Sequence, residues 1–183
     1  MAQKFFMRYK EKENLNQYWF SENTISALVN EIESLFNEGF IQIACISTPS
    51  LYFSLPEQVK KCAKVFDIDT AFQRDPGFVF FDFNHPENIP DNFFGFFDVV
   101  IIDPPFITRE VWEKYARAAK VICKNTGRII LSSIVENAMM LEELLQVRPC
   151  LFKPSIPHLV YQYMFYTNYE SRGLSVVNPE IIE

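Results

Sequence analysis

The chain has 183 residues, 49% of them hydrophobic and 19 of them phenylalanine, which is enough to bury one substantial core and excludes a disordered or fibrous chain. A net charge of −6 and a pI near 5.0 argue against a large nucleic-acid footprint and suit a basic protein partner. No apolar run approaches the roughly 20 residues that span a bilayer, and the start, Met1 to Arg8, lacks the apolar core of a signal peptide, so a cytoplasmic location without membrane contact is expected.

In chain order, Ser21 caps a helix whose face carries Ile25, Leu28, Val29, Ile32, Leu35 and Phe36, with Gly39 as its stop. A strand follows over Ile41–Ile46. Pro56 opens a helix with Val59, Cys62 and Ala63. Further strands are expected over Lys64–Asp69, Phe78–Phe83 and Phe97–Ile102. Thr108 caps a helix bearing Val111, Trp112, Tyr115, Ala118, Ala119 and Ile122, which ends near Gly127. The pattern closes with a strand over Arg128–Ser133, a helix over Val135–Gln146, and a β-rich tail at Cys150–Lys153 and Leu159–Tyr166. Strands alternating with helices predict a mostly parallel α/β sheet, and the tail predicts an antiparallel edge.

The most informative residues are Asp103, Pro104, Pro105 and Phe106, directly after the buried run Phe97–Ile102. Ligands of open α/β sheets bind beyond the carboxyl ends of such strands. Two prolines remove two N–H donors and stiffen the backbone. What remains is an array of acceptors, the Asp103 carboxylate and the Pro104 carbonyl, beside the Phe106 ring. Acceptors and a π-face suit an amino group that donates hydrogen bonds and gathers positive charge. The plain alternative is a stiff loop in which Asp103 caps the next helix.

Three other strand ends point the same way. Ser47, Thr48, Pro49 and Ser50 follow the first strand without a Gly-rich fingerprint, so their hydroxyls and N–H groups would face a cofactor, or they form a plain polar turn. Asp67 and Asp69 end the second strand, where an acid takes ribose hydroxyls or acts as a solvated cap, and alternation lets only one of them face a ligand. Asp82 ends the third strand as an acceptor for an adenine amino group, with Phe83 stacking nearby. Cys45, Cys62, Cys123 and Cys150 read as separate thiols, and His85 and His158 lack ligand spacing, so no metal is expected. Trp112 reads as core. Tyr161 to Tyr166 is either an aromatic wall or a buried edge hairpin.

These residues resemble the small eukaryotic protein-lysine methyltransferases of elongation factor 1-alpha, formerly labelled N6-adenine-specific DNA methyltransferase 2. The blocks that carry the resemblance are Gln17–Ser21, Ile43–Tyr52, Phe80–Asn84, Asp103–Phe106, Gly127–Leu131 and Asn168–Ser171. The resemblance implies a Rossmann-like S-adenosylmethionine-dependent methyltransferase fold in a single domain, 1–183. It would have a seven-stranded, mostly parallel sheet with an antiparallel edge and helices on both faces. It implies S-adenosylmethionine as methyl donor, a lysine ε-amine as acceptor, elongation factor 1-alpha as substrate, and a monomer. By position, Ser47, Thr48, Pro49, Ser50, Asp67, Asp82, Phe83 and Asp103 would contact the cofactor. Asp103, Pro104, Pro105 and Phe106 would be the methyl-transfer site. The arm 1–20 would close over the cofactor, with Trp19 and Ser21 as contacts. Phe106 departs from the family's usual tyrosine, keeping the ring and losing the hydroxyl. Two alternatives stay open: an adenine-N6 methyltransferase holding a flipped base, and a non-catalytic Rossmann-like binding module.

Overall fold

The computed structural model describes residues 1–181; Ile182 and Glu183, the end of the expected 1–183 domain, lie outside the described residues. Seven strands form one sheet: β1 (Ile43–Ile46), β2 (Ala63–Asp67), β3 (Phe78–Phe80), β4 (Phe97–Ile102), β5 (Cys123–Ser133), β6 (Arg148–Pro149) and β7 (Met164–Thr167). Their order is β3-β2-β1-β4-β5-β7-β6. The first five run parallel, and β7 lies antiparallel between β5 and β6.

Both faces are covered. Ile43, Cys45, Val65, Val99 and Ile101 pack on one side with Ile25, Leu28 and Ile32 of α2 (Glu22–Asn37) and Leu51 of α3 (Pro49–Tyr52). Ala44, Ile46, Phe66, Val100 and Ile102 pack on the other with Trp112, Tyr115 and Ala119 of α5 (Arg109–Ile122) and Leu141 of α6 (Ala138–Leu145). Period-2 alternation in the strands therefore supplies two cores at once.

The two long amphipathic helices begin at their expected caps. The Ser21 hydroxyl accepts from the Thr24 N–H at 3.1 Å, and the Thr108 hydroxyl accepts from the Val111 N–H at 3.4 Å. The short elements depart from expectation. β3 stops at Phe80, because the Asp82 carboxylate accepts the Asn84 N–H at 2.9 Å and turns the chain away from the ladder. α5 stops at Ile122, and β5 starts at Cys123 rather than Arg128, since Cys123 pairs with Phe97. The Pro56 helix is one turn, α4 (Glu57–Lys60), and Ala63 opens β2 instead of continuing it.

In the tail, Cys150–Lys153 and residues 159–163 are irregular; β6 and β7 are the only tail strands among the described residues. Pro154 and Pro157 remove the N–H groups that a longer ladder needs. Two helices had no sequence expectation: α3, which stands where a polar loop was expected, and α1 (Ala2–Arg8), which buries Ala2 and Phe5, whose ring lies 5.8 Å from Phe53 and 5.2 Å from Trp19.

Ser21→Ala removes the cap of α2 and is expected to cost about 1 kcal/mol, or roughly 2–4 °C in Tm for a chain of this size. Thermal denaturation checks it, and an unchanged Tm would show that the cap contributes nothing.

Candidate active site

The sheet reverses its order between β1 and β4, and the chain leaves both strands at the same edge. Such a switch point opens a crevice. Here Ser47 and Asp103 stand at its two lips, joined by the Asp103 N–H donating to the Ile46 carbonyl at 3.2 Å.

Ser47 has φ 56°, a left-handed conformation uncommon outside glycine and often found at functional sites. Its N–H donates to the Phe66 carbonyl at 2.8 Å, and its hydroxyl lies 2.8 Å from the Tyr115 hydroxyl. The chain then enters α3, which buries Pro49 and Ser50. Thr48, at the start of that turn, is buried, and its hydroxyl has no partner.

Asp67 ends β2. It is buried, and its carboxylate accepts the Asp69 N–H at 2.8 Å. Burial pushes its pKa up to about 7 against the pull of that hydrogen bond. Asp69 takes a different role. It accepts from Lys12 Nζ at 2.6 Å, Gln17 Nε2 at 2.9 Å and the Ala71 N–H at 2.9 Å. Burial raises its pKa, but these donors outweigh burial and hold it below the usual carboxylate range. Asp69 thus anchors the arm over the crevice while Asp67 faces the cavity.

Asp103 sits opposite. Its carboxylate accepts from the Ser132 hydroxyl at 2.5 Å, across from β4 to β5. Burial pushes it up to about 7, against the Ser132 hydrogen bond. Pro104 is buried, and the Pro105 carbonyl accepts from the Asn16 side chain.

One cavity gathers Trp19, Ser47, Thr48, Pro49, Ser50, Asp67, Phe83, Asp103, Pro104 and Pro105. Three expected site residues stay outside its wall. Ser21 is committed to capping α2. Asp82 holds its own turn. The Phe106 ring is half exposed, because the chain leaves the sheet edge after the two prolines on its way to Thr108. Phe81 lines the cavity beside Phe83.

Sequence reasoning missed Asn16, Lys12, Ser132 and the wall role of Tyr115. Ser132 had a signal, since it stands one residue from the end of the strand next to β4. Lys12 and Asn16 had none, because nothing local ties them to Asp69 or Pro105. The aromatic tail contributes one wall residue, Tyr163, while Tyr161 points into solvent. All four cysteines are free, Trp112 is core, His85 pairs with Glu87 at 3.1 Å, and His158 pairs with Glu11 at 2.5 Å. Among the described residues no three His, Cys, Asp or Glu side chains gather around a possible metal position.

Two buried polar atoms at the cavity lack partners, the Thr48 hydroxyl and the Trp19 indole N–H. A buried donor without an acceptor is costly. A nucleoside cofactor with hydroxyl and carboxylate acceptors fits such a set, and Asp67 lines the same cavity.

The architecture is that of Rossmann-like S-adenosylmethionine-dependent methyltransferases. A solved O-methyltransferase of Agrobacterium tumefaciens, itself described as predicted, is similar at 16% identity, with a TM-score of 0.56 and 78% of each chain covered. A branched-chain polyamine synthase of Thermus thermophilus is similar at 11% identity and a TM-score of 0.59, over 91% of this chain and 62% of that one. These likenesses show the fold. The model of the family described as probable N6-adenine methyltransferase matches residues 11–171, and the chain belongs to that family. It is 36% identical over 172 residues to the EEF1A lysine methyltransferase 1 of Danio rerio, covering 88% of this chain and 100% of the relative. It is 32% identical over 167 residues to the human protein of that name, covering 88% and 77%.

A buried acid with a raised pKa destabilises the fold wherever it is ionised. That cost is absent below the ordinary value of 3.8, grows as pH rises and is complete above about 7. Asp103→Asn removes the charge and keeps an acceptor for Ser132. It is expected to raise the Tm of the cofactor-free chain at pH 8, with a gain that shrinks towards pH 4. Each 1 kcal/mol corresponds to about 2–4 °C. Melting curves across that range check it, and equal shifts at both ends would remove burial of charge as the cause.

Proposed function

We propose that the chain is an S-adenosylmethionine-dependent protein-lysine N-methyltransferase acting in the cytoplasm, as a monomer, on elongation factor 1-alpha. The observation that carries this reading is the Asp103 carboxylate, half-buried in the cavity wall next to Pro104 with one hydroxyl donor. The names of the curated relatives support the substrate class.

S-adenosylmethionine, when bound, supplies an electrophilic methyl group on a sulfonium centre. Ser47, Thr48, Pro49, Ser50, Asp67 and Trp19 would hold it, with Phe83 beside them and the arm 1–20 closing over it. Asp82, outside the cavity wall, would reach the adenine amino group only if its turn opened. Ser21 supports the arm through the α2 cap.

A lysine amine is a nucleophile only when neutral, and its ordinary pKa is about 10.4. The apolar wall of Pro104, Pro105, Leu159 and Tyr163 desolvates the ammonium and lowers that value, so its proton leaves to solvent. The Asp103 carboxylate accepts an N–H of the amine, aims the lone pair and balances the positive charge that grows on nitrogen. Most of the acceleration comes from alignment. Ser132 holds the carboxylate in place. Phe106, whose ring faces outward, does not supply the π-face for that charge.

The family description favours a second reading, an adenine-N6 methyltransferase, since the same acceptors can hold the amino group of a flipped base. Against it stand the pI near 5.0 and the net charge of −6.

Labelled-methyl transfer to elongation factor 1-alpha and to DNA, in parallel, separates the two. Label is expected on the protein and not on DNA. Asp103→Ala is expected to abolish transfer while largely sparing cofactor binding; full activity of that variant sinks the assignment. For the free enzyme, kcat/KM is expected to rise with pH through about 7 as Asp103 ionises. Ser132→Ala removes a donor that lowers the Asp103 pKa, so its acid limb should move to higher pH. An unmoved limb would leave Ser132 with a packing role alone.

A further inference from the structure

We propose that the rim of this cavity is the docking surface for the protein substrate. Apolar side chains around the target lysine would seat on Phe106, Val135 and Met139 at one side of the mouth and on Val160 and Tyr161 at the other. The proposal rests on the lysine reading above and names the surface that reading requires.

Position comes first. Phe106 directly follows the Pro105 wall. The Asn137 side chain donates to the Ile107 carbonyl at 2.8 Å and to the Ser133 hydroxyl at 3.0 Å. That clamp ties the loop after β4, which carries Phe106, to the turn after β5, which carries Val135 and Met139 two residues to either side of Asn137. Across the mouth, Val160 and Tyr161 lie between Leu159 and Tyr163, both cavity walls.

Exposure comes second. Met139 is 86% exposed, Val160 94%, Tyr161 65%, Val135 56% and Phe106 50%. Large apolar side chains grouped in water mark an interaction surface.

Charge decides the class of partner. The net charge is −6, and three of the cations carried by the arm and by α5 are already paired. Lys12 lies 2.6 Å from Asp69, Arg109 3.1 Å from Glu143, and Lys114 2.9 Å from Glu110. A nucleic-acid backbone needs free cations to replace its counterions, whereas an apolar protein surface does not.

Access decides between a permanent and a transient partner. Whatever covers the rim also covers the cavity. A second copy bound here would shut the opening through which an amine must pass. The occupant is therefore the protein that delivers the lysine and leaves.

Met139→Asp and Val160→Asp, singly and together, test this, with Leu151→Asp as control. Leu151 is also exposed, but it lies on a groove with Arg128 and Thr167 at the other end of the sheet. The double variant is expected to raise KM for elongation factor 1-alpha by about tenfold or more, with kcat and cofactor affinity within about twofold of wild type. The control should leave KM unchanged. An unchanged KM in the double variant overturns the docking surface and leaves the lysine reading standing. A dimer of the wild-type chain in light scattering, broken by Met139→Asp, gives the face to a second copy and overturns it as well. Label on DNA alone from the wild-type chain overturns the lysine reading, and the docking surface falls with it.

Discussion

The pairing of β1 with β4 is the contact on which the rest depends. Ile43 to Ile46 run beside Val99 to Ile102, and almost all of these side chains are fully buried. Because the strands that follow β1 spread to one side and those that follow β4 to the other, the two chain exits part at a single edge. The crevice is a consequence of strand order. The acids Asp67 and Asp103 are then delivered to it by strand ends, so their placement is as rigid as the sheet.

That rigidity carries an electrostatic cost. Asp67 and Asp103 are both carboxyls held where burial disfavours their ionised forms. A fold optimised for stability alone would replace them. Strongly perturbed acids facing a shared cavity mark functional positions more often than structural ones. The neighbouring Asp69 shows the contrast: a comparably placed acid, with Lys12, Gln17 and a backbone N–H as donors, is driven the other way. One acid is spent on holding the arm, and the other two remain for chemistry.

The arm is bound by an aromatic cluster, in which Phe5 and Tyr9 pack on Phe53 and Phe72, and by polar contacts from Glu11, Lys12, Asn16 and Gln17. Trp19 packs on Phe5 of α1 and closes one side of the cavity, and Asn16 reaches the carbonyl next to the tetrad. Substrate positioning and closure are thereby joined in one segment. The same loop that holds Asp69 also touches Pro105, so movement of the arm and exposure of the transfer site are coupled.

The helices α2 and α5, the buried strands and the tetrad were legible in the residues themselves. Caps such as Ser21 and Thr108 act within one turn, and periodicity of 2 or 3.6 is written locally. The place of Asp103 at the sheet edge could be read from its position after a six-residue apolar strand. The antiparallel edge was legible in the β-rich tail, whereas the early start of β5, the short β3 and the register of β7 on β5 were not, because each depends on a neighbour far along the chain. The same holds at the site. That Asp103 is answered by Ser132, that Lys12 finds Asp69, and that Phe106 faces outward while Tyr163 faces inward are long-range facts. Local sequence chooses which groups stand at strand ends; only the packed sheet decides which of them meet, since burial and distance exist only after the strands are paired.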